Sequence, residues 1–184
     1  STLTAMNNLA LTYSALGRHE EALVLCEETL SKMRTTLGEN HPDTLWTMSS
    51  LGRVYSASGR SKKALEYQEP AYSKLLELHA ENTRAILPAM RHLALSYFSL
   101  ARHDDALKLQ EDALPKSEKA FGKQHPDTLD LVDDLIKTYS ALGRHADAAK
   151  LKAEFGRFDV ERAEPLGGKR KGILQRLKES FFGK

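Results

Sequence analysis

The sequence has one cysteine, Cys26, in 184 residues, one tryptophan, Trp46, and an aromatic content of 7%. A single thiol excludes an intrachain disulfide framework and points to a reducing compartment. No apolar run approaches the roughly 18 residues that a membrane-spanning helix requires, and nothing from Ser1 onward has the pattern of a secretory signal. A cytoplasmic or nuclear location is expected. The motifs of common chemistries are missing as well. There is no Gly-x-Ser-x-Gly elbow, no His-Glu-x-x-His and no cysteine pair for zinc. Gly168-Lys169 lacks the glycine five residues earlier that a phosphate loop needs, since Ala163 stands there. The expectation is therefore a non-enzymatic protein with no cofactor. The seven histidines do not form a ligand cluster, because His19, His103 and His145 occupy one repeated position.

What the sequence does contain is repetition. Thr12-Tyr13-Ser14-Ala15-Leu16-Gly17-Arg18-His19 returns intact at residues 138–145, three steps of 42 further on. The same step links Tyr13, Tyr55, Tyr97 and Tyr139, and also Ala22, Ala64, Ala106 and Ala148. Uninterrupted spacing of this kind specifies structurally equivalent units that bury a core by stacking on their neighbours. Four units are expected at about 1–40, 41–82, 83–124 and 125–164.

Each unit reads as two helices. The first carries apolar residues at i, i+3 and i+7: Met6-Leu9-Tyr13, Met48-Leu51-Tyr55, Met90-Leu93-Tyr97 and Val132-Leu135-Tyr139. That spacing puts them on one helical face. Small residues follow the leucine in three units, Ala10, Gly52 and Ala94, so that a neighbouring helix can approach; Ile136 departs from the rule. Gly17, Gly59 and Gly143 end these helices in the left-handed conformation that costs glycine little, and Ala101 at the same slot predicts strain. The core of the array is expected to hold Leu9, Leu51, Leu93 and Leu135, the four tyrosines and the four alanines, the rings filling the space between stacked helices. The second helices stop at Leu37-Gly38 and Phe121-Gly122, and Pro70 and Pro115 inside them predict bends. The connector His41-Pro42-Asp43 recurs as His125-Pro126-Asp127 and opens the next helix, with proline in the first turn and an acid against the positive helix end.

The Leu-(Gly/Ala)-x-x-Tyr pattern of the first helix and the alanine of the second resemble the tetratricopeptide repeat. The 42-residue step, with Asn7-Asn8-Leu9-Ala10 and Leu37-Gly38-x-x-His41-Pro42-Asp43, is similar to the variant of kinesin light chains and of the C-terminal arrays of fungal NOD-like STAND proteins. The resemblance implies an all-α, right-handed solenoid of four helix-turn-helix repeats plus a C-terminal capping helix. It further implies that the first helices line a concave groove. The positions turned into it would be Asn7, Asn8, Trp46, Ser49, Ser50, Arg53, Arg91, His92, Phe98, Asp133, Asp134 and Lys137, alongside Thr4, Leu11 and Pro88. Such a surface suits an extended peptide: asparagines for its backbone, aromatics for an apolar anchor, arginines for acidic groups. The function expected is a protein-protein interaction scaffold of the kinesin light chain-like adaptor type, taking a protein or extended peptide of acidic character and no small-molecule substrate. Only Asn7 and Asn8 match the family's groove pattern closely, so the resemblance does not carry a cargo with it.

Two other readings stay open. The array is also the form expected of the C-terminal sensor of a fungal NACHT/NB-ARC STAND protein. The tail offers the other. After Pro165-Leu166-Gly167-Gly168, six basic residues from Lys169 to Lys184 face the single acid Glu179. Such a segment can bind anionic membrane or nucleic acid. Its Leu174, Leu177 and Phe181 keep the 42-residue phase of Val132, Leu135 and Tyr139, so residues 165–184 read as a linker and a basic amphipathic helix that caps the array, with Leu177 and Phe181 in its core. At the other end, Ser1-Thr2-Leu3 aligns with Asp43-Thr44-Leu45, which reads as a chain that opens inside a repeat.

Overall fold

A computed structural model describes residues 2–79 and 83–162, and every element among them is an α-helix. In chain order these are α1 (Thr2–Ala15), α2 (His19–Leu37), α3 (Pro42–Ala57), α4 (Ser61–Leu78), α5 (Thr83–Ser99), α6 (His103–Phe121), α7 (Pro126–Ala141) and α8 (His145–Arg162). The proposed cap and basic tail, Leu177 and Phe181 included, lie outside the described residues.

The helices end where the backbone is forced to turn. Gly17, Gly59 and Gly143 have φ of 77°, 80° and 72°. Beyond each, the amide of Arg18, Arg60 or Arg144 donates back to the carbonyl of Tyr13, Tyr55 or Tyr139 at 2.8–2.9 Å, a closure that satisfies an otherwise orphaned carbonyl. Ala101 makes the same turn at φ 57°, as the only non-glycine residue with positive φ among the described residues. The expected strain is therefore present. At the connectors, His41 and His125 cap α3 and α7: the Nδ1 of each accepts from the amide of Asp43 or Asp127, at 3.1 and 3.2 Å. Pro70 and Pro115 occupy exposed positions, and α4 and α6 run through them as single helices.

Each odd-numbered helix pairs with the even one after it, and α2, α4 and α6 pack in turn on α3, α5 and α7. The backbones of the odd helices also approach one another in sequence, whereas among the described residues those of the even helices do not and are linked by ion pairs from the arginines just ahead of α4, α6 and α8, Arg60 to Glu20, Arg102 to Glu69 and Arg144 to Glu111. A stack whose backbones close up along one row curves toward that row. The odd helices consequently form the inner wall and the even helices the outer one.

The alanines sit at the centre of this packing: Ala22, Ala64 and Ala106 are fully buried, and Ala148 nearly so. Leu51, Leu93, Leu135 and Tyr55 are buried with them. Gly52 shows why small residues follow the leucine, because a Cβ there would stand 2.9 Å from the Ala64 carbonyl and drive into the Gln68 side chain. Two expectations need correction. Leu9 is 45% exposed, since among the described residues α1 packs only on α2 and α3 and no helix lies against it as α2 does against α3. Tyr13, Tyr97 and Tyr139 are half-buried rather than core. The hydroxyls of Tyr97 and Tyr139 reach the outer row, where each meets a carboxylate: Tyr97 Oη donates to Glu69 and Tyr139 Oη to Glu111, both at 2.8 Å. Buried Tyr55 makes the equivalent bond to Glu27. Glu27, Glu69 and Glu111 share the 42-residue step, so the acceptors repeat in register with the donors.

Candidate peptide groove

The inner wall is built from positions that the repeat brings into one row, and most of its polar side chains turn out to hold one another. Asn7 Nδ2 donates to Ser50 Oγ at 3.3 Å, Ser49 Oγ lies 3.3 Å from His92 Nδ1, and Arg91 Nε donates to Asp134 Oδ2 at 2.9 Å. Each rung spans 43 residues and joins one odd helix to the next. Ser49 and Ser50 are buried accordingly, and Asp134 is 6% exposed. These six candidates thus fasten the wall together instead of standing free in it.

Arg91 is the most fully committed of them. Besides Asp134, its Nη1 bonds Asp130 at 2.9 Å, and Lys137 Nζ sits 3.3 Å from the other Asp134 oxygen. Burial alone would lower the Arg91 pKa, but its bond to Asp134 and the two carboxylate charges outweigh that and raise it. In this cluster the basic and acidic groups of the groove cancel at the α5–α7 junction. Asp133 stays exposed. Phe98 leaves the groove altogether: its ring packs on His103, centroids 4.9 Å apart, at the turn into α6, and it lines neither groove cavity.

Two neighbouring cavities remain. One, of about 400 Å³, is lined by Asn7, Asn8 and Leu11 of α1, Trp46 and Ser50 of α3, and Pro88 and His92 of α5. The other, of about 210 Å³, is lined by Arg53, Leu87, Pro88, Arg91, His92, Phe121, Asp127 and Leu131, with Ser117. Pro88 and His92 belong to both and divide them. Leu87, Phe121 and Leu131 did not emerge from the sequence as site residues. Phe121 shows there only as the last residue before a glycine stop, and the other two fall outside the i, i+3, i+7 positions of their helices.

Arg53 is the group that the wall leaves uncommitted. Its guanidinium is half-buried, has no carboxylate partner among the described residues, and has its pKa lowered by burial and then by Arg91 nearby, with Cys26 acting the other way. Arginine still remains a cation at neutral pH. His92 keeps part of its surface open, yet burial first, and then Arg53 and Arg91, push its pKa down to about 3, so its imidazole is neutral. Buried Cys26 is pushed up to about 11 by burial and is an inert thiol at neutral pH. No group of three or more potential metal ligands is assembled among the described residues, and no helix among them is long and apolar enough to cross a membrane.

Stacked hairpins with a hollow inner wall define the class as a helical solenoid of the interaction-scaffold type. The chain belongs to the tetratricopeptide repeat family, whose model matches residues 1–76 and 86–154, and proteins of that family bind other proteins or peptides. No curated protein matches the sequence. Among solved structures it is similar to a Podosopora anserina protein named for kinesin light chain nearly identical TPR-like repeats, at 22% identity over 97% of this chain and 92% of that one, with a TM-score of 0.79. A variant of those repeats, in which one glutamine is replaced by methionine, gives 24% identity over 89% and 77%, with a TM-score of 0.77. BtubC (BKLC) of P. vanneervenii gives 19% over 89% and 65%, with a TM-score of 0.74. These likenesses establish a shared architecture, that of the kinesin light chain-like repeats.

Proposed function

We propose that the chain is a non-enzymatic scaffold that holds an extended, acidic protein segment along the inner wall of α1, α3 and α5. The observation that carries this reading is Arg53, a half-buried cation with no carboxylate partner among the described residues, in the lining of a groove whose other arginine, Arg91, is already paired. Holding a desolvated charge without a partner is unfavourable. A ligand carboxylate would relieve that cost and gain a charge-assisted hydrogen bond. Beside it, Trp46, Leu11 and Pro88 give an apolar anchor a place to bury, and the Asn8 amide, whose side chain makes no hydrogen bond among the described residues, is free to bond a peptide backbone. The buried thiol fits a cytoplasmic setting.

The test is a display selection of random peptides on the wild-type chain, followed by affinity measurement on Arg53→Glu combined with Asn8→Ala. Selected peptides should carry Asp or Glu and lose about tenfold or more in affinity on the variant, while its helical circular dichroism stays the same. Peptides that bind the variant as tightly as the parent would place the recognition surface elsewhere.

A further inference from the structure

We infer that the cavity of about 210 Å³ lined by Arg53 is a seat for a singly charged carboxylate on an apolar stem, and that it rejects phosphate. The inference rests on the groove reading above and adds a chemical selectivity to it.

The charges around the cavity are unevenly committed. Two guanidinium groups line it, but Arg91 is held by Asp130 and Asp134 and has no full charge to offer a ligand. Arg53 alone does. The third nitrogenous wall, His92, is engaged by Ser49 on its Nδ1 side and is neutral. From α7, Asp127 adds an acidic residue to the same lining. Arg53, as the one uncommitted cation of the lining, balances a single incoming negative charge, and the Asp127 carboxylate disfavours a second. A dianion would bring a second negative charge into a lining that already holds the Asp127 carboxylate and has no further uncommitted cation to meet it.

The rest of the lining fits the stem. Leu87, Pro88, Phe121 and Leu131 are apolar, and Phe121 is held in place by Arg84 over its ring and by stacking on His125. A carboxylate arriving with an aliphatic or aromatic group attached can bury that group there, which a bare anion cannot do. The carboxylate can come from an acidic side chain flanked by an apolar one or from a chain terminus, and both share the chemistry.

The experiment follows the Arg53 side-chain Nε–H resonance by NMR in the full chain at about pH 7.5, where the Arg53 guanidinium is charged, using phenylacetate and phenyl phosphate as probes. Phenylacetate is expected to shift the resonance saturably, and phenyl phosphate to bind about fivefold or more weakly. Asp127→Asn should bring the two within about twofold, and Arg53→Met should abolish both. Acetate, which has no stem, should bind more weakly than phenylacetate. The inference fails if phenyl phosphate binds the wild-type chain as well as phenylacetate does, if Asp127→Asn leaves their ratio unchanged, or if Arg53→Met retains phenylacetate. Once the cavity is known to take phenylacetate, peptides ending in a carboxylate and amidated peptides with an internal Glu separate the two sources. Failure of any of these leaves the display selection free to support the groove, and failure of the selection leaves the cavity result standing, so the two readings are judged separately.

Discussion

Tyr97 Oη donates to Glu69 Oε1 at 2.8 Å across 28 residues of sequence, tying the inner row of one hairpin to the outer row of the hairpin before it. Tyr139 and Glu111 repeat the bond, and Arg102 and Arg144 lie over the two tyrosine rings. Burial and then the Glu bond push both phenols up to about 12 from an ordinary value of 10. A raised pKa means that the folded state holds the proton longer. This contribution is therefore whole below pH 10 and lost as the pH rises from 10 to 12. Tyr97→Phe together with Tyr139→Phe should flatten that alkaline decline in urea melts, and each change should cost about 0.5–1.5 kcal/mol near neutral pH. An unchanged decline would disconnect these bonds from alkaline stability.

Equivalent positions in different units should respond unequally. Leu51→Ala removes a fully buried side chain and should cost about 2–5 kcal/mol. Leu9→Ala, at the exposed site one step earlier, should stay within about 0.5 kcal/mol. Tyr55→Ala should cost about 3–5 kcal/mol. Paired denaturation curves decide the matter, and equal losses at Leu9 and Leu51 would contradict the packing described.

The two groove arginines should separate in the same assay. Arg91→Met strands Asp134 without its strongest partner and should destabilise by about 2–3 kcal/mol, discounted from a fully buried pair because Arg91 keeps some water. Arg53→Met removes a cation with nothing to pair and should be neutral within about 0.5 kcal/mol, or slightly stabilising. If Arg53→Met proved the costlier change, Arg53 would have a structural partner.

His92 sets an acid limit. Its pKa is pushed from 6.5 down to about 3, so the unfolded chain takes up that proton first. Stability is complete above pH 6.5 and drains away as the pH falls toward 3. His92→Gln should reduce the loss measured between about pH 7 and pH 5, where most carboxylates remain charged. A slope identical to the parent's would show that His92 protonates freely in the fold.

Ala101→Gly should raise stability by about 0.5–1 kcal/mol, the balance of two effects. The left-handed turn costs alanine roughly 1–2 kcal/mol, against about 0.4–1 kcal/mol of added freedom for glycine in the unfolded chain. Thermal melts check the sign, and a lowered melting temperature would mean that the strain at Ala101 is relieved elsewhere.

The hairpins, their stops and the inner row were legible because each follows from a rule acting over a few residues: the i, i+3, i+7 stripe, glycine at a left-handed turn, proline in a first turn. Ala101 was legible for the same reason, as a residue out of place in a known slot. The fate of the groove side chains was not. Spacing of 42 shows that Asn7, Ser49 and Arg91 are equivalent, but their bonds run to positions 43 residues on, and whether those partners match depends on three-dimensional offset between neighbouring helices. Periodicity gave Leu9 the role of Leu51, while the helix that would bury it is a matter of what stands alongside. The Glu27, Glu69 and Glu111 series was visible in the sequence and needed only the question of where the tyrosine hydroxyls go.

Because the ties between the outer helices are exposed ion pairs, Arg60 to Glu20, Arg102 to Glu69 and Arg144 to Glu111, the array resembles a hand of cards pinched along a single edge. Small rotations about the pinched edge load the Tyr–Glu and Arg–Glu links of the outer margin, and they narrow or widen the hollow between α1 and α5. An occupant that draws Arg53 and Asn8 together would leave its mark furthest from itself, as a change in spacing among α2, α4 and α6 on the opposite side of the molecule.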